Sequence, residues 1–218
     1  MRYKFDRHYS RHSPLYRDVL QPLLDKYRPE SEAEEKALAL LKGWDGEMNE
    51  KSAGATLVRL TYEPLHDVRM FKPVGTPVPA PAETFQEAVR FLRRHYGRVD
   101  VPLGTVQRLR RGKTDLPLGG GTDTLNAVHT RRVGDKVVGK TGDAYILIAE
   151  FSSTGVESWA IHQYGNVNRK QSPHYDDQAP LFVKRKLRPS LLSPEAIEAH
   201  LERAYHPGEE LEAQEKGR

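Results

Sequence analysis

The hydrophobic period of this chain changes once, at Gly97, and that change narrows the folds open to it. Before Gly97 the apolar residues recur at helical spacing; beyond it they alternate or cluster in short blocks rich in Val and Ile. Ser31 to Lys42 reads as a helix, with Ser31 and Glu34 as its capping box and Gly43 as its stop. A second helix is expected from about Ser52 to Tyr62, ending before Pro64, with Ala53, Leu57 and Leu60 on one face. A third runs from Thr84 to Tyr96: Thr84 and Glu87 form a capping box, Phe85, Ala88, Val89, Leu92 and Tyr96 make one stripe, and Gly97 ends it. A shorter helix fits Tyr16 to Tyr27. Between the second and third helices, prolines 73, 77, 79 and 81 mark an extended connector, the best internal boundary in the chain.

Past Gly97, Val106 to Leu109 reads as a short strand and Leu116 to Thr124 as a loop. Asn126 to Val133 and Lys136 to Lys140 form a hairpin about Gly134-Asp135. Asp143 to Phe151 is the strongest strand and pairs with Val156 to Gln163 through Ser152-Ser153-Thr154-Gly155. Together they predict an antiparallel sheet of about four strands. Helices follow at Asp177 to Lys186 and at Ser193 to Ala204, the latter with Ser193 as N-cap and Pro194 in its first turn. The expected class is α+β: a helical N-terminal half, an antiparallel sheet, then C-terminal helices. The expected organisation is a helical segment over 1–72, the connector at 73–81, a helix-plus-sheet region over 82–208 and a charged tail at 209–218.

At 218 residues the chain can bury one substantial core or two small ones. Charged residues make up 29% and the hydrophobic set 37%, a globular rather than disordered balance. A net charge of +4 permits an anionic partner without requiring one. The absence of cysteine excludes disulfides, a thiolate nucleophile and Cys-ligated zinc. No apolar signal core opens the sequence, and no stretch approaches the ~20 apolar residues of a membrane-spanning helix. No membrane association is expected, and composition does not choose a compartment.

The densest chemically capable run is Ser172-Pro173-His174-Tyr175-Asp176-Asp177-Gln178. It reads as a turn feeding a helix, with Asp176 or Asp177 accepting from the helix's free N–H groups. One His and two Asp within four residues leave a metal reading open, but such close ligands need a second, distant set. His8 and His12, at i and i+4, lack an acidic partner at matching spacing. Gly119-Gly120-Gly121 lacks both the Gly-Lys-Ser/Thr ending of a P-loop and a GxGxxG pattern between strand and helix, so a wide turn is expected rather than a nucleotide site. Arg108, Arg110, Arg111 and Lys113 could contact phosphates, but no aromatic residues are interleaved for base stacking. Nucleic acid is therefore not the expected partner. No cofactor and no metal are expected.

Along Asp143 to Phe151, alternation puts Tyr145, Leu147, Ala149 and Phe151 on one side and Ile146, Ile148 and Glu150 on the other. Glu150 needs a partner if it is buried there; the alternative is a solvated carboxylate near the strand end.

The Ser172–Gln178 run also resembles the penicillin amidase family of N-terminal-nucleophile (Ntn) hydrolases, in particular its acyl-homoserine lactone and aculeacin-type acylases. Further pieces agree in order: Leu40-Leu41-Lys42-Gly43-Trp44-Asp45-Gly46 followed by Ser52, Leu103-Gly104 through Arg108-Leu109-Arg110-Arg111-Gly112, Leu116-Pro117-Leu118-Gly119-Gly120, Gly142-Asp143-Ala144-Tyr145 and Tyr205-His206-Pro207-Gly208. The segment resembled is the C-terminal part of the family's β chain. The resemblance implies part of an αββα sandwich and a role in hydrolysing linear amides of N-acyl compounds: N-acyl-homoserine lactones, acylated lipopeptides or β-lactams. The family's nucleophile is a Ser, Thr or Cys whose own free α-amine serves as base. A chain opening Met1-Arg2 offers none, so it is expected to be inactive alone. The oxyanion-hole Asn falls outside the matched region, and Asn126, Asn166 and Asn168 sit in no matching motif. The expected partners are the α chain, the N-terminal part of the β chain and a small N-acyl substrate. Complete members are typically periplasmic or secreted. In cephalosporin-acylase members a late-strand Glu pairs with an active-site His, and Glu150 is the position resembling it, with Glu157 as an exposed comparison. The competing expectation is a non-catalytic basic binding module.

Overall fold

Three serines open helices as their spacing predicts. Ser31, Ser52 and Ser193 accept from the backbone N–H groups of Glu34 (3.3 Å), Ala55 (3.2 Å) and Ala196 (3.1 Å), contacts worth about 1 kcal/mol each. The computed structural model describes residues 2–201 together with Ala204 and His206. The tail at 209–218 and most of the Tyr205–Gly208 piece lie outside the described residues. A π-helical turn, Leu15–Leu20, leads into α1 (Gln21–Lys26). The helices that follow are α2 (Glu32–Lys42), α3 (Ala53–Phe71), α4 (Pro81–Tyr96), α5 (Leu103–Val106), α6 (Ala179–Val183) and α7 (Pro194–Ala199).

Among the longer helices, two boundaries differ from the local signals. Helix α3 does not stop before Pro64 but carries it inside and continues to Phe71. An interior proline costs about 3 kcal/mol. Beyond the proline Leu65 and His66 are buried, and burial at about 1.5–3 kcal/mol for a large apolar side chain works against that cost. Helix α4 begins at Pro81, inside the expected connector. Its start is capped by the Glu83 side chain, which accepts from the Ala80 N–H at 3.1 Å, and not by Thr84 and Glu87. Gly97 ends it at φ 70°. Near the C-terminus, α6 and α7 are each shorter than expected.

The strands form two sheets rather than one ladder. The first has the order β2 (Thr114–Pro117), β1 (Gln107–Arg111), β4 (Lys136–Gly142), β3 (Val128–Val133); the second has the order β5 (Tyr145–Ser152), β6 (Gly155–His162), β7 (Arg188–Ser190). Every pairing is antiparallel except β1 with β4, because the β3–β4 hairpin enters the sheet with β4 inward and running alongside β1. Strands β2 and β7 carry no sequence signal: they are four and three residues long, and each contains a proline.

Two cores divide the layers. In the larger, Leu57, Leu65, Phe85, Leu92 and other helical residues pack with Val137 of β4. In the smaller, Leu109 and Val128 of the first sheet meet Ile146 and Ile161 of the second, with Phe182 of α6 alongside. The class is α+β, in the order helices, sheet, sheet. Among the described residues no helix is long and apolar enough to cross a membrane.

Candidate functional site

Alternation along β5 and β6 produces two unlike faces. On one, Tyr145 lies opposite His162, Leu147 opposite Ala160 and Phe151 opposite Val156. Tyr145, Leu147, Phe151 and Val156 on this face are 51%, 54%, 80% and 45% exposed. On the other, Ile146 and Ile161 are buried, Ile148 and Trp159 are half-buried, and Glu150 lies opposite Glu157. Glu150 is exposed there. Burial fades along this face toward the hairpin turn, because the small core ends before the strands do. Among the described residues its carboxylate has no hydrogen bond or ion pair. The burial that alternation allowed for it is therefore corrected: in this chain Glu150 is a solvated strand-end carboxylate. Glu157 is its direct neighbour across the ladder, so it is a coupled position and not an independent comparison.

The Ser172–Gln178 run braces the first sheet against the second. Thr114 Oγ1 donates to Asp176 Oδ2 at 2.6 Å, and His174 Nδ1 lies 2.9 Å from Asp177 Oδ2. Tyr175 stacks under the Arg111 guanidinium at 4.2 Å. Gln178 Oε1 accepts from the His162 N–H at 3.0 Å, and the Gln178 N–H donates to Tyr164 O at 2.7 Å. Neither aspartate side chain caps α6, whose N-cap position is Gln178; both carboxylates have nearer partners.

The arginines of the basic run are occupied internally, while Lys113 is exposed. Arg108 and Arg110 both bind Asp115, Arg108 also donates to Gly104 O at 2.6 Å, and Arg111 donates to Asn168 Oδ1 at 2.7 Å. The Gly119–Gly121 loop is a packing crossroads, with Arg7, Met48, Tyr9 and Asn126 pressed against it. His8 pairs with Asp6 at 2.8 Å, and His12 is exposed apart from it. Asn126 is buried and its N–H donates to Asp6 O at 2.9 Å; Asn166 is exposed.

The principal buried polar cluster was not read from sequence. Arg59, Tyr62, Glu63 and His66 share one buried face of α3 at positions i, i+3, i+4 and i+7. Arg59 Nη1 meets Glu63 Oε1 at 2.9 Å and Thr122 Oγ1 at 3.0 Å, while Nη2 donates to Gly120 O (2.9 Å) and Val128 O (3.2 Å). Glu63 also accepts from the Thr130 N–H at 2.6 Å and from its hydroxyl. Tyr62 Oη donates to Asp123 Oδ2 at 2.6 Å, and His66 Nε2 lies 3.1 Å from Asp123 Oδ1. Those two contacts, that from His66 foremost, hold the Asp123 carboxyl below the usual range against the effect of burial. Burial first, and then the neighbouring His66, push the His129 imidazole below its usual value. The helical spacing of these four residues was the available signal, and ending the helix at Pro64 cut it in two.

A helical layer over two stacked sheets, with a partly apolar outer face, is a mixed architecture whose last sheet is open. A family model for penicillin amidase matches residues 5–199, nearly the whole chain, and the chain belongs to that family. Among solved structures, a thermostable penicillin G acylase from Alcaligenes faecalis is similar with a TM-score of 0.38 and 14% identity, over 86% of this chain and 44% of that one. The chain thus spans less than half the length of that relative.

Proposed function

We propose that this chain forms the C-terminal part of an Ntn-type acylase of the acyl-homoserine lactone branch, hydrolysing the amide bond of N-acyl compounds. Acylated lipopeptides and β-lactams are the alternative substrates. The observation that carries this reading is the uncovered apolar face of β5–β6 in a chain of the penicillin amidase family. Helices, sheet and sheet supply three layers of an αββα sandwich; a fourth would cover Tyr145, Leu147, Phe151 and Val156. A bare apolar sheet face in a free chain is an association hazard. The covering layer, the nucleophile and the oxyanion donors would come from the α chain and the N-terminal part of the β chain. There a side-chain hydroxyl adds to the amide carbonyl, its α-amine takes the proton, the amine product leaves with a proton, and water releases the acid. Glu150, solvated in this chain, would gain its partner on assembly. A histidine N–H from the added layer would donate to it, making Glu150 a positioning residue for that imidazole.

The test is co-expression with the missing parts of a family acylase. The expected result is a co-purifying assembly that hydrolyses an N-acyl-homoserine lactone, while the chain alone hydrolyses neither that nor penicillin. In the assembly, Glu150→Gln is expected to lower kcat by up to about 100-fold, the scale of a misplaced reacting group, with KM and circular dichroism unchanged. The chain alone is expected to bind a polarity-sensitive dye and self-associate, and Leu147→Lys with Phe151→Lys is expected to abolish both. A dye-silent, monodisperse wild-type monomer, or turnover by the chain alone, sinks the reading.

A further inference from the structure

Beyond Pro64, the end of α3 meets β3, and two imidazoles and a carboxylate converge there. One ligand-type atom each from His66, Asp67 and His129 lies within 4.8 Å of the other two. His66 Nδ1 is 3.9 Å from Asp67 Oδ1. The Nδ1 atoms of both histidines are buried and have no hydrogen-bond partner. His66 is only 7% exposed, so its unpartnered nitrogen cannot be explained by contact with bulk water.

The state of that nitrogen follows from the other side of the ring. His66 Nε2 faces Asp123 Oδ1 at 3.1 Å, so Nε2 carries the proton and Nδ1 presents a lone pair. Asp123 is held in turn by the Tyr62 hydroxyl. A carboxylate behind a histidine fixes its tautomer and ring orientation, the usual support behind a metal-binding imidazole. Glu63, the nearest other carboxylate on the helix, is occupied by Arg59 and Thr130. Phe71 packs against both imidazoles, with ring centroids 6.2 Å from His66 and 5.7 Å from His129. The Asp67 side chain is 42% exposed and leaves a way in from solvent.

We propose that His66, Asp67 and His129 form a binding site for one divalent transition-metal cation, with Zn²⁺ the best match. Two imidazole nitrogens and one carboxylate suit Zn²⁺, whereas Ca²⁺ and Mg²⁺ take sets built from oxygen. A fourth position remains for water. Ligands at about 2.0–2.2 Å around a tetrahedral ion stand about 3.4 Å apart, so atoms now within 4.8 Å of one another close by up to about 1.4 Å on binding. The ion would clip the last turns of α3 to β3, and its binding would stabilise the fold. This site is independent of the acylase reading.

The experiment uses the untagged full chain, freed of metal by chelator and titrated with ZnCl₂ and CoCl₂ near neutral pH. One equivalent is expected to bind at micromolar or lower concentration. Co²⁺ is expected to give visible bands of four- or five-coordination, and Zn²⁺ but not Mg²⁺ to raise the unfolding midpoint by several degrees. His129→Ala, at a half-buried position, and Asp67→Asn should each weaken binding at least tenfold. Asp123→Asn, which removes a positioning carboxylate, should weaken it about 10–100-fold. His8→Ala and His174→Ala, both exposed, should leave it unchanged. If His66→Ala fails to fold by circular dichroism, His129→Ala decides. Absence of stoichiometric binding, or binding that survives both His129→Ala and Asp67→Asn, overturns the site. Loss of binding in His8→Ala or His174→Ala would place the metal elsewhere and equally overturn it.

Discussion

Arg59→Ala is expected to cost the fold about 3–5 kcal/mol, the scale for breaking one side of a buried ion pair. Arg59 is 2% exposed and Glu63 is 8% exposed. The guanidinium neutralises Glu63 and satisfies Thr122 Oγ1 and the carbonyls of Gly120 and Val128. Its removal leaves a carboxylate and two carbonyls short of donors in the seam between α3 and the first sheet. The loss is a large share of the roughly 5–15 kcal/mol that holds a domain of this kind together. Glu63→Ala should cost a similar amount, because it strands the guanidinium and also the Thr130 N–H and hydroxyl. Removing both charges in Arg59→Met with Glu63→Leu should cost clearly less than the two alanine losses added together, since neither charge is then left alone. Urea midpoints of the single and double variants measure this. A single-variant loss below about 1 kcal/mol would show that water reaches the seam and screens the pair.

Gly120→Ala should destabilise by about 3 kcal/mol, from two separable causes. Gly120 sits at φ +97°, where a side chain costs about 1–2 kcal/mol. A methyl group there would also stand 2.6 Å from Asn126 O and 2.9 Å from Val128 Cγ2, and crowding of that kind adds about 1–3 kcal/mol. Gly134 isolates the first cause: it also has positive φ, at +61°, but nothing lies within 4 Å of its added carbon. Gly134→Ala should therefore cost only about 1–2 kcal/mol. Equal losses at the two positions in thermal or urea unfolding would mean that the Gly120 neighbours yield freely. The contrast also explains the glycine run. Gly119, Gly120 and Gly121 let Arg7, Met48, Tyr9 and Asn126 approach the backbone. The Gly120 carbonyl accepts from both Arg59 and Gln107. These glycines are needed by the chain's own packing, and no phosphate is required to account for them.

What could be read from residues near one another in sequence came through well. The starts of α2, α3 and α7, the end of α4 at Gly97, the hairpin at Gly134-Asp135 and the β5–β6 pair all depend on contacts within a few residues. The ordered pieces from Leu40 to Tyr145 and the Ser172–Gln178 run likewise carried the family. Elsewhere the outcome turned on which partner reached a group in the folded chain, or on where the core stopped. Asp176 and Asp177 are good caps by composition, yet Thr114 and His174 take their carboxylates. The arginines of β1 look like a phosphate-binding patch, yet Asp115, Tyr175 and Asn168 hold them. Glu150 shares a strand face with two isoleucines, yet the core beneath that face ends before reaching it.

By itself, then, the sequence determined the switch from helix to strand at Gly97, the caps, the main hairpins and membership of the penicillin amidase family. These are recorded in short spacings and in the order of motifs. Tertiary structure alone decided that α3 runs on through Pro64, that β4 lies parallel to β1 and that two sheets form instead of one. It also tied Arg59 and Glu63 to Thr122 and Thr130 in one buried network, brought Asp123 to Tyr62 and His66, and set His66 and Asp67 against His129. Each of those outcomes rests on burial or on a hydrogen bond between residues far apart in the chain. The free energy of such a contact depends on what the fold removes from water, which no local pattern records.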